Sequence, residues 1–233
     1  QLHHDAVYPS CQVAMHHPGS APTRKLPART WITLAATPHR KISGVHWYRT
    51  TAGDWVSGGA IRRFFFTTPP VMLRKTGGRW LEVIISQQTL VAYEGATPVM
   101  LTLVSTGKPR TPTPIGVFRI FFKKGLQRVG KRSGKRWLYL FEAVPFLQFF
   151  KGRLAIHTAY WHDLFGSKQS RGCVEVSPTD ARWLYSWTVP HVPPGYLSYS
   201  HSDDQWGTLL RIVQFAGQRS HYRSKREYLP PGI

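Results

Sequence analysis

Apolar residues along this chain come mostly in short runs of strand length. RWLEVIIS (79–86) is such a run, Gln87–Gln88 follows as a turn, and TLVAYEG (89–95) reads as the returning strand. TPVMLTLVST (97–106) predicts a third strand, GVFRIFFKK (116–124) a fourth and TLLRIVQF (208–215) a last one. GKPRTPTPIG, between the third and fourth, is dense in Gly and Pro and reads as a loop. Upstream, WITLAA, GVHWYRT and DWVSGGAIRRFFF predict short strands over 31–66, with TAGD (51–54) as a turn. SPTDARWLYSW (177–187) carries helix signals: Ser177 as N-cap, Pro178 at the first helical position and Asp180 in the first turn. GLQRVGKRSGKR (125–136), basic and glycine-rich, predicts a mobile loop. Residues 1–30, rich in Pro, His, Ser and Thr, predict an extended or disordered arm. Together these signals predict a mainly β, antiparallel sandwich-like domain with a few short helices. The implied division is an arm (1–30), a small β-rich module (31–70) ending at TTPP, the main domain (71–217) and a basic tail (218–233).

Composition sharpens the question of partners. With 42% apolar residues the 233-residue chain can bury a core, while 31 Lys and Arg against 11 Asp and Glu give a formal charge of +20. A field of that sign draws polyanions: nucleic acid, anionic lipid or an acidic cell-wall polymer. No apolar run reaches the length of about 18 residues that a membrane-spanning helix needs. The chain opens on Gln1 and shows no secretory h-region, which suggests a processed protein. The two cysteines, Cys11 and Cys173, make no disulfide framework; a bridge between them would silence Cys173 as a nucleophile. His3, His4, His16 and His17 flank Cys11 without any zinc spacing, so no metal site is expected there, and the sequence shows no cofactor motif.

RGCVEVSP (171–178) holds the cysteine that can carry chemistry. A thiolate attacks acyl carbons well and a thiol poorly, so such a cysteine needs a base or a cation beside it. His157 ends the apolar run RLAIH and Cys173 begins the alternating run CVEV, so two strand termini can bring them together. If 170–176 is extended, Arg171 projects from the same face as Cys173 and its fixed charge favours the thiolate. Backbone N–H groups around Gly172 and Cys173 are candidate oxyanion donors.

The stretch IHTAYWHDLFGSKQSRGCVEVSPTDARWLYSW resembles the L,D-transpeptidases with a YkuD-type catalytic domain, whose hallmark is a His followed by Ser/Thr-His-Gly-Cys. His157, Ser170, Gly172 and Cys173 take the matching positions, and STGKPRTPTPIGVF (105–118) is similar to the family's Gly- and Pro-rich signature. Arg171 stands where the family has His, Glu175 where it has Asn, and Thr158 where many members have Gly. The resemblance covers about residues 79–215. It implies a cysteine acyltransferase of the bacterial cell envelope, acting on peptidoglycan peptide stems without a cofactor. Cys173 would be the nucleophile and His157 the base, with Arg171 tuning the thiol and Thr158 orienting His157 through its main chain. Ser170 is either a turn-former or a site-shaping hydroxyl. Tyr160 and Trp161 are either core or a substrate wall. His162 is expected to be structural, beside Trp161 and Asp163, and Glu175 to face solvent or pair with an Arg. Acidic wall polymers suit the positive charge. Two other readings stay open: an impaired domain of the same fold that only binds the wall, and a nucleic-acid binder. The latter lacks any RNP, KH or zinc-finger signature.

Overall fold

A computed structural model describes residues 4–7, 11–14, 17–18, 21–22, 24–36, 39–73, 78–200 and 207–217; at 4–7, 11–14 and 72 it describes the backbone alone. The basic tail 218–233 lies outside the described residues. The chain divides into two compact units, Gln1–Phe66 and Thr67–Ile233.

The first unit contains β1 (His4–Val7), β2 (Cys11–Ala14), β3 (Arg24–Leu26), β4 (Trp31–Thr33), β5 (Arg40–Ile42), β6 (Val45–Arg49), β7 (Trp55–Ser57) and β8 (Ile61–Arg63). They form two sheets, in the orders β4-β1-β8 and β3-β2-β7-β6-β5. The arm expected over 1–30 is therefore corrected, since β1 and β2 hold interior places in these sheets. Strands this short carry too little periodicity to be read alone. Their backbone groups are paired with neighbouring strands, β1 with Trp31–Thr33 and Ile61–Arg63 and β2 with Arg24–Leu26 and Trp55–Ser57. Val56 and Ile61 form the centre of this unit's core, with Leu26, Ile32, Leu34 and Tyr48 packed on them.

The second unit opens with a 3-10 turn (Val71–Leu73). Then follow β9 (Arg79–Ile84), β10 (Thr89–Glu94), β11 (Thr97–Leu103), β12 (Gly116–Arg119), β13 (Phe122–Ser133), β14 (Arg136–Lys151), β15 (Leu154–Thr158), β16 (Val174–Val176), α1 (Pro178–Trp187), β17 (Ser198–Ser200) and β18 (Leu209–Val213). Two five-stranded sheets, β11-β10-β9-β18-β12 and β16-β15-β14-β13-β17, enclose one core. Leu81, Val83, Leu90, Leu210 and Ile212 come from the first sheet. Phe150, Ile156, Val174 and Val176 come from the second, and Ala181 and Leu184 from α1. Each fully buried Val, Leu, Ile or Phe side chain among them contributes about 1.5–3 kcal/mol.

The domain is mainly β, with one α-helix among the described residues. It is not purely antiparallel. β15 and β16 are parallel, and so are β9 and β18, because β16 follows a long crossover and β18 inserts late between β9 and β12. GVFRIFFKK is not one strand either: β12 and β13 belong to different sheets, divided at Ile120–Phe121.

The basic stretch 125–136 is corrected from loop to strand. It is most of β13 and the turn of a long hairpin with β14, where Gly134 has φ +58°. The glycine that reads as a breaker, Gly130, is a packing notch: a Cβ there would lie 2.8 Å from both the Trp137 ring and the Tyr139 carbonyl.

α1 begins as its sequence signals suggest. Ser177 Oγ accepts the Asp180 N–H at 3.2 Å, and Thr102 Oγ1 donates to Asp180 Oδ2 at 2.7 Å, tying the helix to β11. At its other end the buried Lys123 ammonium donates to the Tyr185 and Thr188 carbonyls at 2.7 and 2.6 Å. Burial lowers the pKa of this lysine to about 7.

Candidate active site

β15 and β16 run side by side with Ile156 opposite Val174, His157 opposite Glu175 and Thr158 opposite Val176. Strand alternation sends Ile156, Val174 and Val176 into the core and places His157 and Glu175 on the other face. A parallel pair needs a crossover; here it is residues 159–173, with no helix. That segment carries Tyr160, Trp161, His162, Ser170, Arg171 and Gly172 and delivers Cys173 to the start of β16.

The last turn of the crossover is built by Ser170, which is buried. Its Oγ donates to the Cys173 carbonyl at 2.6 Å and accepts the Gly172 N–H at 3.1 Å. Gly172 has φ +113°, and a Cβ there would sit 3.0 Å from Leu154 Cδ2. The STGKPRTPTPIG segment supports this turn from the other side. Ser105 and Glu175 exchange backbone bonds at 2.8 and 2.9 Å, and Lys108 N–H donates to the Ser170 carbonyl at 3.0 Å. Gly107 is required here because a Cβ would lie 2.1 Å from the Thr111 carbonyl oxygen. Thr113 Oγ1 accepts the Gly107 N–H at 2.8 Å. A Gly172→Ala variant should lose about 1–3 kcal/mol of stability to strained backbone and the Leu154 contact. A urea melt checks this through its midpoint.

Cys173 is a free, half-buried thiol. His157 is 3% exposed, and the Cys173 side chain is close enough to act on its ring. Its Nδ1 lies 2.8 Å from the Thr158 carbonyl, which can only accept, so Nδ1 carries a proton and Nε2 is the nitrogen left for sulfur. Burial alone would lower the His157 pKa. The bond to Cys173 and the thiolate's charge, the Thr158 carbonyl and the Glu175 charge outweigh it and raise the pKa to about 9. The imidazolium thus persists far above the ordinary histidine range and is lost as pH rises through about 9. Acyl transfer that needs this proton should show a basic limb near pH 9, not near 6.5, in a kcat/KM profile.

Three expectations are corrected. Residues 171–173 form a bend instead of a strand, with Gly172 at positive φ, so the same-face rule that aimed Arg171 at the sulfur does not apply. The Arg171 guanidinium lies over the Tyr139 ring, 3.9 Å from its centroid, on the β13–β14 hairpin. The Gly172 N–H is taken by Ser170 and is not an open oxyanion donor. Glu175 neither faces solvent nor pairs with an Arg: it is buried, and its Oε2 lies 3.0 Å from His162 Nε2. His162 Nδ1 in turn accepts the Leu164 N–H at 3.1 Å, so the proton facing Glu175 is on Nε2.

Of the crossover's aromatic residues, Trp161 lies beside the His157 ring. Trp161 stacks on Phe141 of β14 at 3.7 Å between centroids and stands 6.1 Å from the His157 ring. Tyr160 is half exposed, and its hydroxyl donates to the Glu142 carbonyl on the same hairpin. Trp161, Tyr160 and Arg171 therefore all meet β14, the second strand of the long hairpin. Among the described residues no group of His, Cys, Asp and Glu has the arrangement of a metal site.

A sequence profile for the L,D-transpeptidase catalytic domain (YkuD) matches residues 78–196, just over half of the 233-residue chain. The chain belongs to this family. The matched segment runs from β9 past α1 and contains His157, Ser170, Gly172 and Cys173.

The chain is similar to the Bacillus subtilis (strain 168) protein YciB, whose name gives L,D-transpeptidase provisionally, with 28% identity over 126 residues. That match covers 48% of this chain and 62% of YciB, so the chain spans less than two thirds of this relative. The crystal structure of an Enterococcus faecium L,D-transpeptidase mutant is 21% identical with a TM-score of 0.46, covering 58% of this chain and 49% of that one. An L,D-transpeptidase from Mycobacterium smegmatis is 18% identical with a TM-score of 0.47, covering 86% of this chain and 93% of that one.

Proposed function

We propose that the chain is a peptidoglycan L,D-transpeptidase of the bacterial envelope that works through a thioester at Cys173. The placement of the buried His157 beside the half-buried Cys173 thiol, where β15 meets the start of β16, is the observation that carries this reading. A family domain with His157 on β15 and Cys173 just before the adjacent β16 has what acyl transfer needs: a nucleophile, and a proton held beside it.

In the first half-reaction Cys173 Sγ, as thiolate, attacks the carbonyl of an L-centre residue joined to a terminal D-amino acid. A C–S bond forms, the peptide C–N bond breaks, and the His157 proton goes to the departing amine. In the second, an amine from a neighbouring stem attacks the thioester and gives its proton to His157, and the thiolate is restored. Thr158 holds His157 by its carbonyl, so the ring keeps Nε2 toward the sulfur. The Cys173 N–H is the donor we assign to the developing oxyanion, because Gly172 is already engaged. Trp161 walls the site beside His157, and Arg171, on Tyr139, offers a cation to the carboxylates of a stem. The charge of +20 favours accumulation on acidic wall polymers.

Incubation with purified tetrapeptide-bearing wall fragments tests the reading. Release of the terminal D-amino acid with formation of a stem–stem cross-link is the expected result. Intact stems after prolonged incubation with folded protein would reject it.

Arg171→Ala should leave Cys173 reactivity close to the parent's, because the guanidinium packs on Tyr139, and should raise KM for acidic stems more than it lowers kcat. Steady-state kinetics at fixed ionic strength separates the two.

A further inference from the structure

The transpeptidase reading uses Cys173, His157 and Thr158 and leaves a buried acid beside them unexplained. Glu175 is His157's register partner in a parallel pair, so both side chains leave the same face of the sheet from neighbouring strands. Cys173 precedes Glu175 by two residues, which makes Cys173, His157 and Glu175 a group around one point on that face. The Glu175 side chain is 9% exposed and the His162 side chain 12%. A carboxylate kept that far from water needs a partner, or it costs several kcal/mol. Its hydrogen-bonding partner is His162, reached across the crossover at 3.0 Å. His162 is fixed from its other nitrogen by the Leu164 N–H and packs against Phe165, with ring centroids 5.0 Å apart. The imidazole is thus locked in one orientation, with its Nε2–H aimed at the carboxylate.

Resting on the proposed acyl transfer, we propose that Glu175 and His162 form a positioning pair for the reaction, in which Glu175 supplies a fixed negative charge to the His157 imidazolium and His162 holds that charge in place. The groups facing His157 are the Cys173 thiol, the Thr158 carbonyl, the Glu175 carboxylate and the Trp161 ring. Glu175 does not hydrogen-bond His157, whose two nitrogens face Thr158 and Cys173, so its effect is through space. In place of the Asn expected from the family resemblance, the site thus has a carboxylate with its own histidine clamp. The arrangement also accounts for His162 and Glu175 being buried together although 12 residues separate them in the chain.

Titration of the His157 ring by NMR, in the full chain and in Glu175→Gln, Glu175→Asn, His162→Gln and the Glu175→Gln/His162→Gln double variant, tests this. The parent midpoint should lie near 9. Loss of the Glu175 charge should lower it by about one unit in both Glu175 variants. His162→Gln should lower it by less, and the double variant should match Glu175→Gln alone. An unchanged midpoint in any folded Glu175 variant, or additive shifts in the double variant, would overturn the proposal. Should Glu175→Gln fail to fold, a midpoint in folded His162→Gln equal to the parent's also overturns it. Acylation of Cys173 by a carbapenem, followed in the same samples, separates the two readings. A parent that shows the Glu175-dependent midpoint but never acylates refutes the transpeptidase reading and leaves the pair standing.

Discussion

Replacement of Cys173 by Ala should abolish stem turnover and covalent acylation in a protein that still folds. The sulfur is the acyl carrier in the proposed mechanism, and the other cysteine of the chain, Cys11, lies in strand β2 of the first unit, outside the matched family domain. The Cys173 side chain is only half buried at the beginning of β16, so removing one sulfur atom costs little packing. Rates should fall to background while the thermal midpoint stays within a few degrees of the parent. Cys11→Ala is the control and should keep turnover near the parent's. Activity lost in Cys11→Ala and kept in Cys173→Ala would reverse the assignment.

His157→Gln should lower kcat/KM by about 10²–10⁴-fold, the usual effect of losing a positioned proton carrier. Glutamine can still bond to the Thr158 carbonyl but cannot exchange a proton with sulfur, so the loss reports chemistry more than architecture. The basic limb near pH 9 should vanish with the imidazole. His162→Ala should cost far less than His157→Gln, because His162 meets Glu175 and not the thiol. Full activity in a folded His157→Gln would remove it from the reaction.

The parts of this fold that sequence made legible are those where one segment carries its own signal. Trp80–Ile84 is buried on both faces in the middle of a sheet, so it reads as a near-continuous apolar run. α1 has an N-cap, a proline and an acidic residue at its start, all local features. The long β13–β14 hairpin was hidden because its stability comes from cross-strand partners such as Val129 with Phe141, while its own residues are basic and glycine-rich. β1, β2 and β3 were hidden for a similar reason, since these strands take their order from neighbours.

In the candidate site, the closeness of His157 to Cys173 was legible from the two strand termini. The contacts of Arg171 and Glu175 were not. One glycine at φ +113° turns the chain between Arg171 and Cys173, and a positive φ cannot be read from side-chain alternation. Glu175 shared that alternation with Cys173, which was the available signal that it belonged on the site face. Its partner His162 is set by a crossover whose path depends on the whole sheet.

Intact-mass analysis of the full chain after incubation with a carbapenem, followed by peptide mapping, tests the central claim most directly. The account predicts one covalent adduct per chain, located on the peptide that contains Cys173, absent from Cys173→Ala and strongly slowed in His157→Gln. A folded parent that takes up no adduct, or carries it at a residue other than Cys173, would contradict the account and point to a domain that holds the cell wall without acting on it.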